Sequence, residues 1–331
     1  MNIDKNLILD DILVEPIFVC GLPRSGKTFF TNYLLESLTD TGLIIDDSTD
    51  TIISLFKASK IQEDIFKYLF GYNLKKIWYE RFVGRRLNIR PNDQSSIFNS
   101  KSLPQTIERL NLGEKHLEEL YSKSNNSFKQ VMLLHSVIAV SPEIFEIFPN
   151  SKFINVISNP YSLFVSWMKN GYGSLEVYKK IRVALPLISY KGHKLPIYSS
   201  GWEEDFLKMS EVERVTKMLY ILFQKDNNGF KRIPKKFHKN VYLTSYENML
   251  NKLNKKIIDF NPNKTCSDGM LKNLLSNEFA IKDILERKQF IENEDSILST
   301  YLDNVNIRGL RELKECEYIY NGWLKNERSI F

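Results

Sequence analysis

Short runs of consecutive apolar residues recur along this chain, separated by stretches whose apolar positions have helical spacing. Ile17-Phe18-Val19-Cys20 is closed by a glycine, and Leu43-Ile44-Ile45 ends in Asp46-Asp47. Val131-Met132-Leu133-Leu134, Phe153-Ile154-Asn155-Val156-Ile157 and Val241-Tyr242-Leu243-Thr244 follow. Runs that are short, yet apolar at nearly every position rather than every second one, predict strands buried on both faces. Helical spacing follows the first run from Thr28 to Leu35 and the second from Thr51 to about Tyr72. Alternation of this kind predicts an α/β fold, a three-layer sandwich with a central parallel sheet of about five strands and helices on both faces.

Other stretches are less regular. Residues from about 73 to 128 read as polar helices and loops of no evident order. Gly, Pro, Tyr and Trp break the rhythm between Gly171 and Glu211, which reads as an insertion or lid, a usual place for substrate contacts. The segment 262–331 is largely helical from Met270 onward and reads as a closure of one domain spanning 1–331.

Composition excludes more than it identifies. The 331 residues are 43% hydrophobic and 26% charged, as in an ordinary globular protein. A net charge of +6, from 46 basic against 40 acidic residues, is spread along the chain and suits an anionic ligand without naming one. There is no zinc spacing, no aromatic RNA-binding signature and no basic recognition helix, so neither a nucleic-acid partner nor a structural metal is expected. The 3 cysteines, Cys20, Cys266 and Cys316, are odd in number and far apart, which fits a reducing compartment. Asp4, Asp10, Asp11 and Glu15 stand where a secretory signal needs a basic start, and no run approaches the ~18 apolar residues of a membrane span. A cytoplasmic location is the expectation.

The chemistry begins at Gly21-Leu22-Pro23-Arg24-Ser25-Gly26-Lys27-Thr28, which fits G-x-x-x-x-G-K-[ST] between a predicted strand and a predicted helix. Glycines let backbone N–H groups converge on anionic oxygens, and the helix N-terminus adds its positive end. Arg24 and Lys27 contribute full charges and Thr28 a hydroxyl. Farther on, Asn159-Pro160 is a good N-cap and first helical residue, and would start a helix at the end of the fourth strand, with Ser166 nearly two turns in.

Three segments together resemble the sulfotransferase family. Phe18 to Gly26 followed by Thr28-Phe29 resembles its 5′-phosphosulfate loop, usually G-L-P-R-S-G-T-T. Phe148 to Pro160, continuing to Ser166-Trp167, is similar to its 3′-phosphate segment, an apolar strand, then R-x-P, then a serine. Val241 to Leu250 is similar to its Y-E-D-L segment. The resemblance covers roughly residues 15 to 260 and implies 3′-phosphoadenosine 5′-phosphosulfate as donor, with adenosine 3′,5′-bisphosphate as product. It further implies Ser158 and Ser166 at the 3′-phosphate, Phe29 against the adenine and Tyr246 near the base. Two positions depart from the pattern. Ser158 stands where the family has arginine, and Lys27 where it has threonine; Lys169, Arg182 and Arg308 are candidates to supply the missing cation.

Transfer to a hydroxyl needs a base for the acceptor proton and cations for charge on the donor's bridging oxygen. Arg24 and Lys27 supply the cations. His135 directly follows the third apolar run, at the carboxyl edge where open α/β sheets bind ligands, and Leu134-His135-Ser136-Val137 partly resembles the T-H-L-P stretch that holds the base in the family's cytosolic branch. Asp46 and Asp47 are the competing bases, and in a kinase would bind Mg²⁺ or abstract the proton. Asp50 is expected in solvent, Trp167 and Trp202 in core or lid, and Glu247 as a fold support. Three functions stay open: sulfuryl transfer to a hydroxyl of a carbohydrate or glycolipid, a P-loop kinase using ATP and Mg²⁺, and a non-catalytic relative that binds nucleotide.

Overall fold

The computed structural model describes residues 15–34, 43–91, 95–99, 103–124, 129–179, 186–258 and 294–326. Five parallel strands form the central sheet, β1 (Glu15–Cys20), β2 (Ile44–Ile45), β3 (Lys129–Leu133), β4 (Lys152–Ile157) and β7 (Val241–Ser245), in the order β2-β3-β1-β4-β7. All five coincide with the apolar runs, and helices cover both faces. Phe18, Val19, Val131, Met132, Phe153 and Val156 are buried, as continuous apolar strands between two helical layers must be.

The second helical stretch differs from expectation. Instead of one helix from Thr51 to about Tyr72, α2 (Asp47–Lys57) and α3 (Glu63–Phe82) meet at a break. Ser59 adopts φ 55°, its N–H donates to Phe56 O at 2.9 Å, and that of Lys60 to Leu55 O at 2.8 Å. That is a Schellman termination with serine in the left-handed position usually held by glycine. Of the region 73–128, α3 takes the start, and α4 (Leu103–Leu110) and α5 (Glu114–Ser124) follow.

After β3 come α6 (Ser141–Ile147), β4 and α7 (Pro160–Lys169), whose N-cap Asn159 accepts from Tyr161 N at 2.9 Å. Between Gly171 and Glu211 lie an antiparallel hairpin, β5 (Leu187–Tyr190) with β6 (His193–Pro196), and α8 (Glu203–Lys208). Tyr178, Leu195, Ile197 and Phe206 of this segment are buried in one core cluster with Leu163, Trp167 and Leu219. The long α9 (Glu211–Arg232), opened by a Ser210–Glu213 capping box, packs against α7. It also packs on the last helix of the set α10 (Tyr246–Ile258), α11 (Glu294–Leu302) and α12 (Ile307–Leu324). Among the described residues, no helix is long and apolar enough to cross a membrane.

Candidate functional site

The chain leaves β1 toward β2 on one side of the sheet and β4 toward β7 on the other, so a crevice opens between β1 and β4 at their carboxyl ends. The 21–26 loop lies there. Gly21 has φ +146°, and a Cβ on it would come 2.3 Å from Val156 O and 2.5 Å from Ser25 Oγ. Ser25 N donates to Leu22 O at 3.1 Å, Arg24 is left-handed at φ 70°, and Gly26 follows at φ +83°. Left-handed residues alternating with ordinary ones turn successive N–H groups into one concavity, the backbone form that receives anions. Phe30 N donates to Gly26 O at 3.0 Å and opens α1 (Lys27–Leu34).

Side chains fasten this loop from several elements. Trp167 Nε1 donates to Pro23 O at 2.9 Å, and its buried ring stacks on Tyr172 with centroids 4.7 Å apart. Arg24 Nε lies 3.5 Å from Ser166 Oγ, so α7 carries Ser166 to the exposed arginine of the loop. The Tyr246 ring lies against Gly26 and meets buried Phe29 edge-on at 6.2 Å. Lys27 is buried beneath the loop, its Nζ donating to Leu22 O at 3.1 Å. Burial pushes its ammonium down to about 8, against the pull of the Asp50 carboxylate.

Ser158 is placed differently from the phosphate-facing serine that the resemblance implies. Its hydroxyl donates to Glu247 Oε1 at 2.6 Å, which also accepts from Asn159 N at 2.7 Å. Glu247 Oε2 accepts from Ser245 Oγ and Tyr320 Oη at 3.0 Å each, so this carboxylate ties the ends of β4 and β7 to α12. It is the fold support its position suggests. Lys169 and Arg308 are exposed, and Arg308 Nε pairs with Glu312 at 3.2 Å; Arg182 lies outside the described residues.

On the other side of the loop stands His135. Ser136 N donates to Gly21 O at 3.0 Å, which couples the exit of β3 to the loop. Asp50, expected in solvent, instead accepts from His135 N at 2.8 Å and lies 2.6 Å from its Nδ1. Asp50 sits one turn into α2, and α2 starts where β2 ends beside β3, so the helix aims this residue across the sheet edge. With Nδ1 engaged by Asp50, Nε2 is the ring nitrogen turned away from that pair. The arrangement is an oriented imidazole next to a concave, glycine-bearing loop.

Asp46 has another task. It caps α2, accepting from Thr49 N at 2.7 Å and from the Ser48 and Thr49 hydroxyls. Burial pushes its carboxyl up, but these hydrogen bonds and Arg86 outweigh it and hold the group below the usual value. Asp47 is exposed, and both aspartates line a separate cavity of about 500 Å³.

A buried polar network behind His135 escaped the sequence reading. Lys57 Nζ donates to Ser136 Oγ at 2.7 Å, and Ser136 Oγ donates to Asp226 Oδ1. Burial raises Asp226 to about 6 and lowers Lys57 to about 8. One signal was available: Asp226 interrupts the buried stripe Leu219-Leu222-Phe223-Gly229 of α9, where a carboxylate needs a partner.

The sequence matches no protein-family model and no curated protein. Among solved structures, the chain is similar to a sulfotransferase domain from the curacin biosynthetic pathway. That similarity has 12% identity, covers 87% of this chain and 97% of that one, and has a TM-score of 0.38.

Proposed function

We propose that this protein is a sulfotransferase that uses 3′-phosphoadenosine 5′-phosphosulfate and sulfates a hydroxyl on a carbohydrate or glycolipid. The observation that carries the reading is the Asp50–His135 pair, coupled through Ser136 N to the loop glycine Gly21. An oriented base beside an anion cradle is what transfer from a phosphosulfate to a hydroxyl requires. The donor supplies an activated sulfuryl group. His135 accepts the acceptor's proton at Nε2, with Asp50 holding the ring and balancing the imidazolium. The acceptor oxygen bonds to sulfur as the bond from sulfur to the bridging oxygen breaks, and Lys27 and Arg24 stabilise charge on that oxygen. Loop N–H groups hold the 5′ end, and Phe29 and Tyr246 are the rings assigned to the adenine. At the 3′ end Ser158 is committed to Glu247, and Ser166 is the hydroxyl that serves there.

The kinase reading keeps the support of Lys27, but Asp46 is engaged in capping, which leaves Asp47, at the start of α2, as its carboxylate. A thermal-shift titration separates the readings. Adenosine 3′,5′-bisphosphate at a hundredfold excess over its Kd should stabilise the protein by about 2.7 kcal/mol without Mg²⁺, and Lys27→Ala should remove the shift. Stabilisation by ATP only in the presence of Mg²⁺ would replace sulfuryl transfer with a kinase. A bisphosphate shift without turnover would leave a nucleotide-binding relative.

A further inference from the structure

The cavity at the carboxyl end of β2 is unlike the donor crevice in its chemistry. Asp46 and Asp47 form its inner end, and Arg81, Arg86 and Arg90 stand on the wall formed by α3 and the segment that follows it. That wall is built rather than loose. Buried Arg81 donates to Arg86 O and Leu43 O, each at 3.3 Å, and so pins the segment to β2. Asn88 accepts from Arg90 N at 3.2 Å and donates to Ser95 Oγ at 2.8 Å, while Ile97 N donates to Asn88 O at 2.8 Å. Arg86 is oriented by Glu80 at 3.0 Å and Asp46 at 3.5 Å, yet its side chain is 43% exposed. Beside these cations two large apolar side chains face water, Ile45 at 42% exposure and Ile89 at 65%. A ligand that satisfies both features has an apolar or sugar-ring face and an oxyanion, because the guanidinium fork matches carboxylate and sulfate geometry. β2 pairs directly with β3, Ile45 opposite Leu133, so Asp46 and Asp47 leave the sheet one strand spacing, about 5 Å, from the Leu134-His135 exit of β3, and a hydroxyl on such a ligand is within a saccharide's length of His135.

We propose that this cavity is the acceptor subsite and that the acceptor is an anionic saccharide, its oxyanion toward Arg86 and Arg90 and its hydroxyls toward Asp47. The word acceptor rests on the transferase reading; the binding of an anionic glycoside does not. Calorimetric titration of the full chain with phenyl β-D-glucuronide, phenyl β-D-glucoside 6-sulfate and neutral phenyl β-D-glucoside tests it. At least one anionic probe should bind about tenfold or more tighter than the neutral glucoside. Arg90→Ala and Arg86→Ala should each abolish that preference in a protein that still unfolds cooperatively. Adenosine 3′,5′-bisphosphate binding should be unchanged in both variants. Equal binding of all three glycosides, or an intact preference in both folded variants, overturns the proposal. An anionic preference that persists in a protein with no response to the bisphosphate overturns the transferase reading and leaves the anionic-glycoside site standing.

Discussion

Replacing Gly26 by alanine tests whether the loop is held as described. At φ +83° an L-residue costs about 1–2 kcal/mol relative to glycine. The added Cβ would also lie 2.1, 2.4 and 2.8 Å from Cδ2, Cε2 and Cγ of Tyr246, distances that real Cβ atoms do not keep. The ring must move, and in moving it leaves its edge-on contact with Phe29 at 6.2 Å, which is worth about 0.5–1.5 kcal/mol. The expected destabilisation is about 1.5–3.5 kcal/mol in urea unfolding, with weaker binding of adenosine 3′,5′-bisphosphate in calorimetry. A second background isolates the contact. In Tyr246→Ala the ring is gone, so Gly26→Ala should cost only the backbone part, about 1–2 kcal/mol. If Gly26→Ala costs the same in both backgrounds to within about 0.3 kcal/mol, the ring does not rest on the glycine and this account of the loop is wrong.

Other outcomes follow from the same geometry. His135→Ala should lower turnover by about 10²–10⁴-fold, and Asp50→Asn by about tenfold or more as a charge-assisted hydrogen bond is lost. Donor KM should hold in both, and loss of activity in Asp46→Ala and Asp47→Ala with His135→Ala active would move the base to β2. Asp226 is raised by burial from 3.8 to about 6. The native state therefore holds more protons than the unfolded chain in that window, and this contribution, full below the lower value, is lost as pH rises through about 6. Urea melts across pH should show that fall in the wild type and not in Asp226→Asn; an unchanged profile would mean that the carboxylate is not buried. Ser59→Gly should stabilise by about 1 kcal/mol, since φ 55° favours glycine, and no gain in the melting temperature would argue against the left-handed turn.

How much of this was legible follows from the range of each interaction. The five strands, the 21–28 loop, α1 and the Asn159-Pro160 start of α7 are written in patterns a few residues long, because burial on two faces, tight turns and helix caps are decided by near neighbours. The break at Ser59 was hidden for the opposite reason, as a serine in a glycine's conformation leaves no local mark. Residues from about 73 to 128 carry no dominant period, and their helices are settled by what they cover. The charges at the site were the least readable. Asp50 looks like a solvent-facing helix residue until β2 is laid beside β3, when it meets a histidine 85 positions away. Arg24 and Ser166 are 142 positions apart, and Ser136 and Asp226 are 90 apart. The chain by itself therefore determined that a glycine-bearing turn would sit at the end of the first strand, since that geometry is built from eight consecutive residues. Which histidine and which carboxylate stand beside it was decided by the strand order β2-β3-β1-β4-β7. A contact between distant charges exists only once the sheet has brought their elements side by side.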